Sequence, residues 1–229
     1  MKSNPFTDLL SIMYPKLCVV CGEILMKGEQ SLCLFCLYNI PKTNYHLRQD
    51  SPIEKRFWGK FSLFRGTAFF FFEKGSPFQK LLHNLKYKGD KELGYVLGKY
   101  AGIDLMDSSD FLSIDTILPV PLHPKKYQKR GYNQSEWIGK GLSEIMNRPQ
   151  NINNLIRVKE NVSQTKKSVY ERYENTEGIF ELKDDNIFEG KHVLLVDDVL
   201  TTGSTLEACA QALLKTKNIK ISVFTLAIA

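Results

Sequence analysis

Two spacings of apolar residues alternate along the chain from residue 63 onward, and they predict strands and helices in turn. Residues 63–72 are rich in aromatic side chains and predict one or two strands, with the four phenylalanines at 69–72 buried. Helical spacing follows in two segments separated by a break at residues 88–90. Their apolar positions are Phe78, Leu81, Leu82 and Leu85, then Leu93, Leu97 and Tyr100.

The same alternation continues to residue 228. Residues 116–120 predict a short strand, and the apolar positions from Trp137 to Met146 predict an amphipathic helix. Residues 193–196 predict a buried strand, which is followed by a small-residue loop and a helix with Leu206, Cys209 and Leu213 on one face. Residues 221–228 predict a last strand. This order is typical of an α/β fold in which a parallel sheet carries helices on both faces and binds ligands at the carboxyl ends of its strands.

The length and composition fit one ordinary domain with a small appendage. The chain has 229 residues, of which 43% are apolar, and no run approaches the roughly 18 apolar residues that span a bilayer. The first residues lack the apolar core and cleavage site of a secretory signal. We therefore expect a cytoplasmic protein without membrane insertion, divided into a module at residues 1–50 and a larger domain at residues 51–229.

Four of the five cysteines lie within nineteen residues and form two pairs of the Cys-x-x-Cys type. Eleven residues separate the two pairs, whose members are Cys18, Cys21, Cys33 and Cys36. Four soft thiolates at this spacing suit tetrahedral Zn²⁺ and leave no open coordination position, so we predict a structural zinc site. A redox pair and unligated thiols are the alternatives. Cys209 lies on the apolar face of a predicted helix and is interpreted as a core residue.

Positive charge is concentrated in one part of the chain. The formal net charge is +6, and the segment from Pro121 to Arg172 carries eleven Lys or Arg against four Glu, a local +7. This basic segment predicts an anionic ligand. The phosphates of a nucleotide-like ligand and the backbone of a nucleic acid both fit, and charge does not choose between them.

The most specific pattern is the buried strand at residues 193–196 with the two carboxylates and the polar loop that follow it. Asp197 and Asp198 can accept hydrogen bonds from the two hydroxyls of a ribose. The loop and the helix amino terminus behind it can hold a phosphate. We assign this role to Thr201, Thr202, Gly203, Ser204 and Thr205. The run resembles the signature with which type I phosphoribosyltransferases bind 5-phosphoribosyl 1-pyrophosphate (PRPP), and this resemblance makes Asp197 and Asp198 the catalytic candidates.

The same resemblance assigns roles to two further segments. The basic loop after residues 116–120 corresponds to the pyrophosphate-binding loop, in which Lys126, Arg130, Asn133 and Gln134 are the candidates and the pyrophosphate is bound as a magnesium complex. The alternative is a solvated basic loop. Residues 157–178 resemble the flexible hood that closes over PRPP, with Gln164, Lys166 and Arg172 as candidates; the alternative is an ordinary surface hairpin.

Taken in order, these features resemble the ComF family, and the resemblance covers nearly the whole chain. It is carried by the four cysteines, LHNLKYKGD at residues 82–90, PVPLHP at 119–124, KRGYNQS at 129–135, Gln164, Arg172 and Asn175, and the Asp197–Asp198 loop. The resemblance implies a type I phosphoribosyltransferase-like domain and an association with competence and DNA uptake.

Two function classes remain open. One is a phosphoribosyltransferase that uses PRPP, Mg²⁺ and an unassigned acceptor. The other is a competence factor that handles single-stranded DNA, contacts DNA-uptake or helicase proteins and retains the PRPP site as a sensor or relic. A pure zinc adaptor would leave the Asp197–Asp198 loop unexplained.

Overall fold

A four-stranded parallel sheet lies at the centre of the computed structural model, which describes residues 15–158 and 178–229. The six strands are β1 (Arg65–Phe71), β2 (Thr116–Pro119), β3 (Leu155–Arg157), β4 (Phe180–Leu182), β5 (His192–Leu200) and β6 (Lys220–Ile228). The central sheet has the order β1-β6-β5-β2 with every neighbouring pair parallel. The short strands β3 and β4 form a separate antiparallel pair. The predicted parallel α/β sheet is confirmed.

Eight helices surround this sheet within the described ranges. They are α1 (Leu34–Tyr38), α2 (Pro52–Phe57), α3 (Gln79–Tyr87), α4 (Lys91–Leu105), α5 (Ser109–Leu112), α6 (Pro124–Arg130), α7 (Gln134–Met146) and α8 (Ser204–Leu213). Two short 3₁₀ turns lie at Tyr45–Leu47 and Asp185–Phe188. The predicted helices correspond to α3, α4, α7 and α8. Among the described residues, no helix has the length and apolar character needed to cross a membrane.

The two faces of the sheet are covered by different helices. Leu194 and Val196 of β5 pack in one apolar cluster with α3, α4 and α7. Val193 and Leu195 point the other way, into a second cluster that contains α2 and α8. Because successive strand residues point to opposite faces, a strand buried on both sides reads as the continuous apolar run seen in the sequence. Helices therefore lie on both faces, as predicted.

Helices α4 and α7 cross with their backbones in contact. A Cβ atom added to Gly98 would overlap the carbonyl oxygen of Ile138, and one added to Gly141 would overlap the carbonyl oxygen of Tyr95. Only glycine at these two positions permits such a close approach. The crossing fixes the direction of α7, whose amino terminus lies at the carboxyl edge of the sheet.

The prediction of a basic loop after β2 was wrong in part, because much of this segment forms the helix α6. Pro124 occupies the first turn, where its missing N–H costs no hydrogen bond, and the side chain of His123 accepts from the backbone N–H of Lys125 at 3.2 Å. Gly131 ends the helix with φ +75°. These start and stop signals of a helix lie within the segment that the sequence analysis interpreted as a basic loop.

Strand β5 is also longer than the predicted residues 193–196. It continues to Leu200, and Asp197 and Leu200 still pair with Thr225 and Ile228 of β6. The acidic pair therefore belongs to the strand, and the loop before α8 spans only residues 201–203. Nothing in the sequence indicated that these polar residues pair within the sheet, because their partners belong to β6, a separate segment of the chain.

The four-cysteine module packs directly against the sheet domain. Cys18, Val20 and Leu32 belong to the same apolar cluster as Phe70 and Leu81. The hydrogen bonds that join the parts include one from the Thr43 N–H to the Phe69 carbonyl at 3.1 Å and one from Lys80 Nζ to the Val20 carbonyl at 2.8 Å. The division at residue 50 stays a prediction.

Candidate functional site

Two adjacent carboxylates lie at the carboxyl end of β5. The backbone N–H of Asp198 donates to Oδ1 of Asp197 at 2.9 Å, and the hydroxyl of Ser135 donates to the same oxygen at 3.1 Å. Lys86 Nζ lies 3.1 Å from Oδ2 of Asp198. Each carboxylate therefore has its own partner, one from the amino-terminal turn of α7 and the other from α3.

The two acids differ in their electrostatic surroundings. The pKa of Asp197 is raised to about 7, first because burial removes its hydration and second because the charge of Asp198 lies beside it, while the hydrogen bonds from the Asp198 N–H and from Ser135 oppose the shift. Asp197 therefore titrates near neutral pH. A group of this kind can hold either a proton or a ligand hydroxyl under physiological conditions.

The acidic pair faces a polar cleft of about 150 Å³ that also receives cationic side chains. Its walls come from the end of β2, from α6, from the start of α7 and from β5. The polar residues that line it are Lys86, Lys126, Arg130, Asn133, Gln134, Ser135, Arg157, Asp197, Asp198 and Thr205. All four residues predicted for the pyrophosphate loop are thus in the same cleft as the acidic pair.

The four loop candidates occupy two different positions in this cleft. Lys126 is exposed and Arg130 is half-buried, so both can meet a ligand. Asn133 and Gln134 are buried and are engaged by the protein itself. Asn133 Nδ2 donates to the Val120 carbonyl at 3.0 Å, and Gln134 Oε1 accepts from Arg130 Nη1 at 2.8 Å. The two amides therefore position the cations and the chain around them.

The predicted phosphate loop turns from β5 into α8. Gly203 has φ +83°, and a Cβ there would also meet the ring of Phe57 at 2.9 Å, so glycine is required by both conformation and space. Helix α8 has no side-chain cap at Gly203, which leaves backbone N–H groups of its first turn for another acceptor. Thr205 lines the cleft, while Thr202 is exposed and its hydroxyl lies 3.1 Å from that of Ser204. Thr201 lines a neighbouring pocket.

Three polar residues that line the cleft were not among the predicted site residues. Lys86, Ser135 and Arg157 come from α3, α7 and β3, each far from β5 in the chain. Lys86 and Ser135 lie within LHNLKYKGD and KRGYNQS, so inspection of their polar positions could have found them. The hood candidates Gln164, Lys166 and Arg172 lie outside the described residues.

A second candidate site is the four-cysteine cluster. The Sγ atoms of Cys18, Cys21, Cys33 and Cys36 all lie within 4.8 Å of one another, and those of Cys21 and Cys33 are 3.7 Å apart. Four Zn–S bonds of about 2.3 Å in a tetrahedron require sulfur separations of roughly 3.8 Å. Backbone N–H groups of Cys33 and Cys36 donate to the sulfurs of Cys18 and Cys33, both at 3.4 Å. The donor set and its geometry fit a metal such as zinc.

Comparisons with known proteins agree with this architecture. Residues 129–228 match the family described as the phosphoribosyl transferase domain. Competence protein F of Haemophilus influenzae is 32% identical over 156 residues, which cover 66% of this chain and 68% of that protein. Competence protein ComFC of Bacillus subtilis is 29% identical over 92% of this chain and 83% of its own length. The DNA utilization protein YhgH of Escherichia coli K12 is 26% identical over 92% of this chain and 89% of its own length.

Solved structures that the chain matches include glutamine PRPP amidotransferase of B. subtilis, with a TM-score of 0.38, 18% identity and coverage of 57% of this chain and 25% of that one. Adenine phosphoribosyltransferase of Leishmania tarentolae has a TM-score of 0.39 and 12% identity, and covers 66% of this chain and 74% of its own.

Proposed function

This chain belongs to the ComF family of competence proteins, and from that premise we propose that its polar cleft binds PRPP with Mg²⁺ and transfers the phosphoribosyl group to an acceptor. The observation that carries the proposal is the meeting of Asp197 and Asp198 with Lys126 and Arg130 in one cleft. Acceptors for ribose hydroxyls and cations for phosphates are the two kinds of group that a sugar pyrophosphate requires. Neither kind alone would select this ligand.

The ribose is proposed to lie over the end of β5, with its two hydroxyls donating to the acidic pair. A bare phosphate would be repelled there, because two carboxylates lie side by side. The 5′-phosphate is then directed to residues 201–205, where Thr205 and the uncapped first turn of α8 offer hydroxyl and N–H donors. The helix dipole adds a favourable partial positive charge at that point.

The pyrophosphate is proposed to face Lys126 and Arg130. The guanidinium of Arg130 is held by Gln134, so it meets the ligand with little loss of side-chain freedom. The carboxylates of Asp197 and Asp198 are oxygen ligands of the type that Mg²⁺ prefers, either directly or through water. When bound, the ion neutralises charge on the departing pyrophosphate. The contribution of the chain is positioning and charge stabilisation.

Calorimetric titration with PRPP and Mg²⁺ tests the proposal. We expect saturable binding to the wild-type protein and its loss in the Asp197→Asn, Asp198→Asn double variant, which keeps the volume of both side chains. The matched control is Asp104→Asn on α4, which removes the ion pair between Asp104 and Lys42. Absence of binding to zinc-loaded wild type, or equal binding to the double variant, would reject the proposal.

A second candidate function is the handling of single-stranded DNA, and it rests on α6 together with the names of the relatives. Lys125 and Lys129 are exposed on this helix and do not line the cleft, unlike Lys126 and Arg130. We propose that this face contacts the phosphate backbone of a strand or an acidic partner of the DNA-uptake machinery. The cysteine cluster fits a reducing compartment, so a cytoplasmic site of action is part of the proposal.

Two sets of substitutions distinguish the two proposed functions. The Lys125→Glu, Lys129→Glu variant is expected to lose salt-dependent binding of a single-stranded oligonucleotide and to keep PRPP binding. The acidic double variant is expected to do the reverse. Oligonucleotide binding that survives the charge reversal would remove α6 from this role.

A further inference from the structure

A short segment that follows α2 runs along one face of α8, beside the loop proposed to hold the 5′-phosphate. The ring of Phe57 packs against Gly203, the residue before the helix. Lys60 Nζ lies 3.1 Å from Oε2 of Glu207, and Gln211 Nε2 donates to the Lys60 carbonyl at 3.1 Å. The three contact positions on α8 are each four residues apart, so they lie on a single face of the helix.

The ion pair between Lys60 and Glu207 is held from both sides. The N–H of Lys60 donates to the Phe57 carbonyl at 3.0 Å, while its own carbonyl accepts from Gln211. The backbone on either side of this lysine is therefore fixed relative to α8. The side chains of Lys60 and Glu207 are 32% and 19% exposed, so water screens their charges less than it would screen fully exposed ones.

The position of Glu207 bears directly on the proposed phosphate site. It is the acidic residue in the first turn of α8, four residues after Gly203 and therefore about 6 Å further along the helix axis. Helical side chains lean towards the amino terminus, which brings this carboxylate nearer to that end. Its charge lies within a Debye length of about 8 Å. Such a carboxylate favours the helix dipole when the protein is empty, but it repels a phosphate dianion.

Lys60 removes this repulsion without meeting the ligand. Neither Lys60 nor Glu207 is among the described residues that line the polar cleft, to which α8 contributes Thr205. Their effect on a ligand in the cleft must therefore be electrostatic. A carboxylate paired with an ammonium at 3.1 Å acts as a dipole, whose field falls off faster with distance than the field of a single charge.

We propose that Lys60 is a positioning residue for the 5′-phosphate end of the ligand, and that it acts by neutralising Glu207. The inference rests on the proposed function, since it assigns a residue to the binding of the same ligand. It also predicts selectivity, because the pyrophosphate is proposed to lie at α6 on the other side of the acidic pair. Loss of Lys60 should therefore weaken ligands that carry the 5′-phosphate and spare pyrophosphate alone.

The test is a double-mutant cycle measured by calorimetry, with PRPP and Mg²⁺ as one ligand and pyrophosphate and Mg²⁺ as the other. We expect Lys60→Gln to bind PRPP roughly threefold to tenfold more weakly than wild type, and to bind pyrophosphate equally well. Glu207→Gln should bind PRPP at least as tightly as wild type. The Lys60→Gln, Glu207→Gln double variant should recover to within about twofold of wild type, since neither charge remains. Lys60→Arg keeps the cation and should retain most of the affinity.

The matched control is Lys42→Gln, which breaks an ion pair of similar exposure, with 36% for Lys42 and 19% for Asp104, away from α8. It should bind both ligands as wild type does. A lysine that only ties the segment to the helix would not be rescued by Glu207→Gln, because the double variant lacks the ion pair as well.

The outcomes distinguish this inference from the proposal on which it rests. With normal PRPP binding in wild type, three results each overturn the role of Lys60 alone: equal PRPP affinity of Lys60→Gln, a double variant as weak as Lys60→Gln, or an equal loss of pyrophosphate affinity. Pyrophosphate that fails to bind wild type contradicts the site at α6, and rescue by Glu207→Gln still decides the role of Lys60. Absence of PRPP binding to wild type overturns the proposed function and this inference with it.

Discussion

Lys86 Nζ lies 3.1 Å from Oδ2 of Asp198, and this ion pair joins α3 to the acidic end of β5. Both side chains are mostly removed from water, with exposed fractions of 22% and 12%. The lysine also lines both the polar cleft and the neighbouring pocket that Thr201 lines. Lys86 therefore places a positive charge beside the acidic pair at the boundary between the two cavities.

Replacing this lysine is expected to weaken PRPP binding. In Lys86→Gln the carboxylate of Asp198 loses its counter-ion, so the cleft becomes more negative where a polyanion must enter. We expect the affinity for PRPP with Mg²⁺ to fall about tenfold or more, and Lys86→Arg to restore part of it. Lys99→Gln is the matched control, since it removes an exposed ion pair with Glu144. Equal affinities of Lys86→Gln and wild type would contradict the prediction.

The raised pKa of Asp197 predicts an unusual dependence of stability on pH. The folded protein holds this proton more tightly than the unfolded chain, whose carboxyl titrates near 4. The resulting stabilisation is present at low pH and is lost as pH rises from about 4 towards about 7. The asparagine of Asp197→Asn does not titrate. The free energy of unfolding of this variant, relative to that of wild type, should therefore rise by about 1–3 kcal/mol as pH increases across this window.

Urea denaturation of both proteins at several pH values measures this difference. Asp184→Asn, whose side chain caps the short turn at Asp185–Phe188, provides an acidic control away from the cleft. A difference between Asp197→Asn and wild type that is constant with pH would show that the proton is not held in the folded state.

The cysteine cluster is expected to contain one zinc ion per chain. Cys33→Ser should lose most of the metal and lower the melting temperature by several degrees, because the module shares an apolar cluster with the sheet. Cys209→Ala, which changes a buried thiol in α8, should keep the metal. Elemental analysis and thermal scans measure both. A metal-free protein that loses four hydrogens on mild oxidation would support the redox alternative.

The crossing of α4 and α7 predicts a large effect from a small substitution. Gly98→Ala places a methyl group against the backbone oxygen of Ile138, which the packed helix cannot move away, so we expect destabilisation of about 2–4 kcal/mol. In Gly94→Ala on the same helix, the new methyl group lies 3.1 Å from Leu85 Cδ2. This atom is the end of a flexible side chain and can shift away. Chemical denaturation should show a loss for Gly98→Ala and a small change for Gly94→Ala.

The sequence predicted the sheet well because its central strands are buried on both faces and read as continuous apolar runs. The acidic pair, the loop at residues 201–203 and the cysteine pairs are also recognisable in the sequence, since each is local in the chain, and the phosphate-binding role of the loop stays a prediction. Lys86, Ser135 and Arg157 were missed as site residues because only tertiary packing brings them to β5. The length of β5 was underestimated for a related reason: the pairing of Asp197 is supplied by Thr225 of β6.

The shared packing of the cysteine module would make the metal and the proposed ligand of the cleft thermodynamically dependent on each other. Lys80 of α3 donates to the Val20 carbonyl between Cys18 and Cys21, and the same helix carries Lys86 to the cleft. If metal uptake steadies α3, it raises the affinity of the cleft for its anionic ligand, and by reciprocity a filled cleft tightens the hold on the metal by the same factor. Zinc supply in the cell would then set how much of this protein is competent to bind.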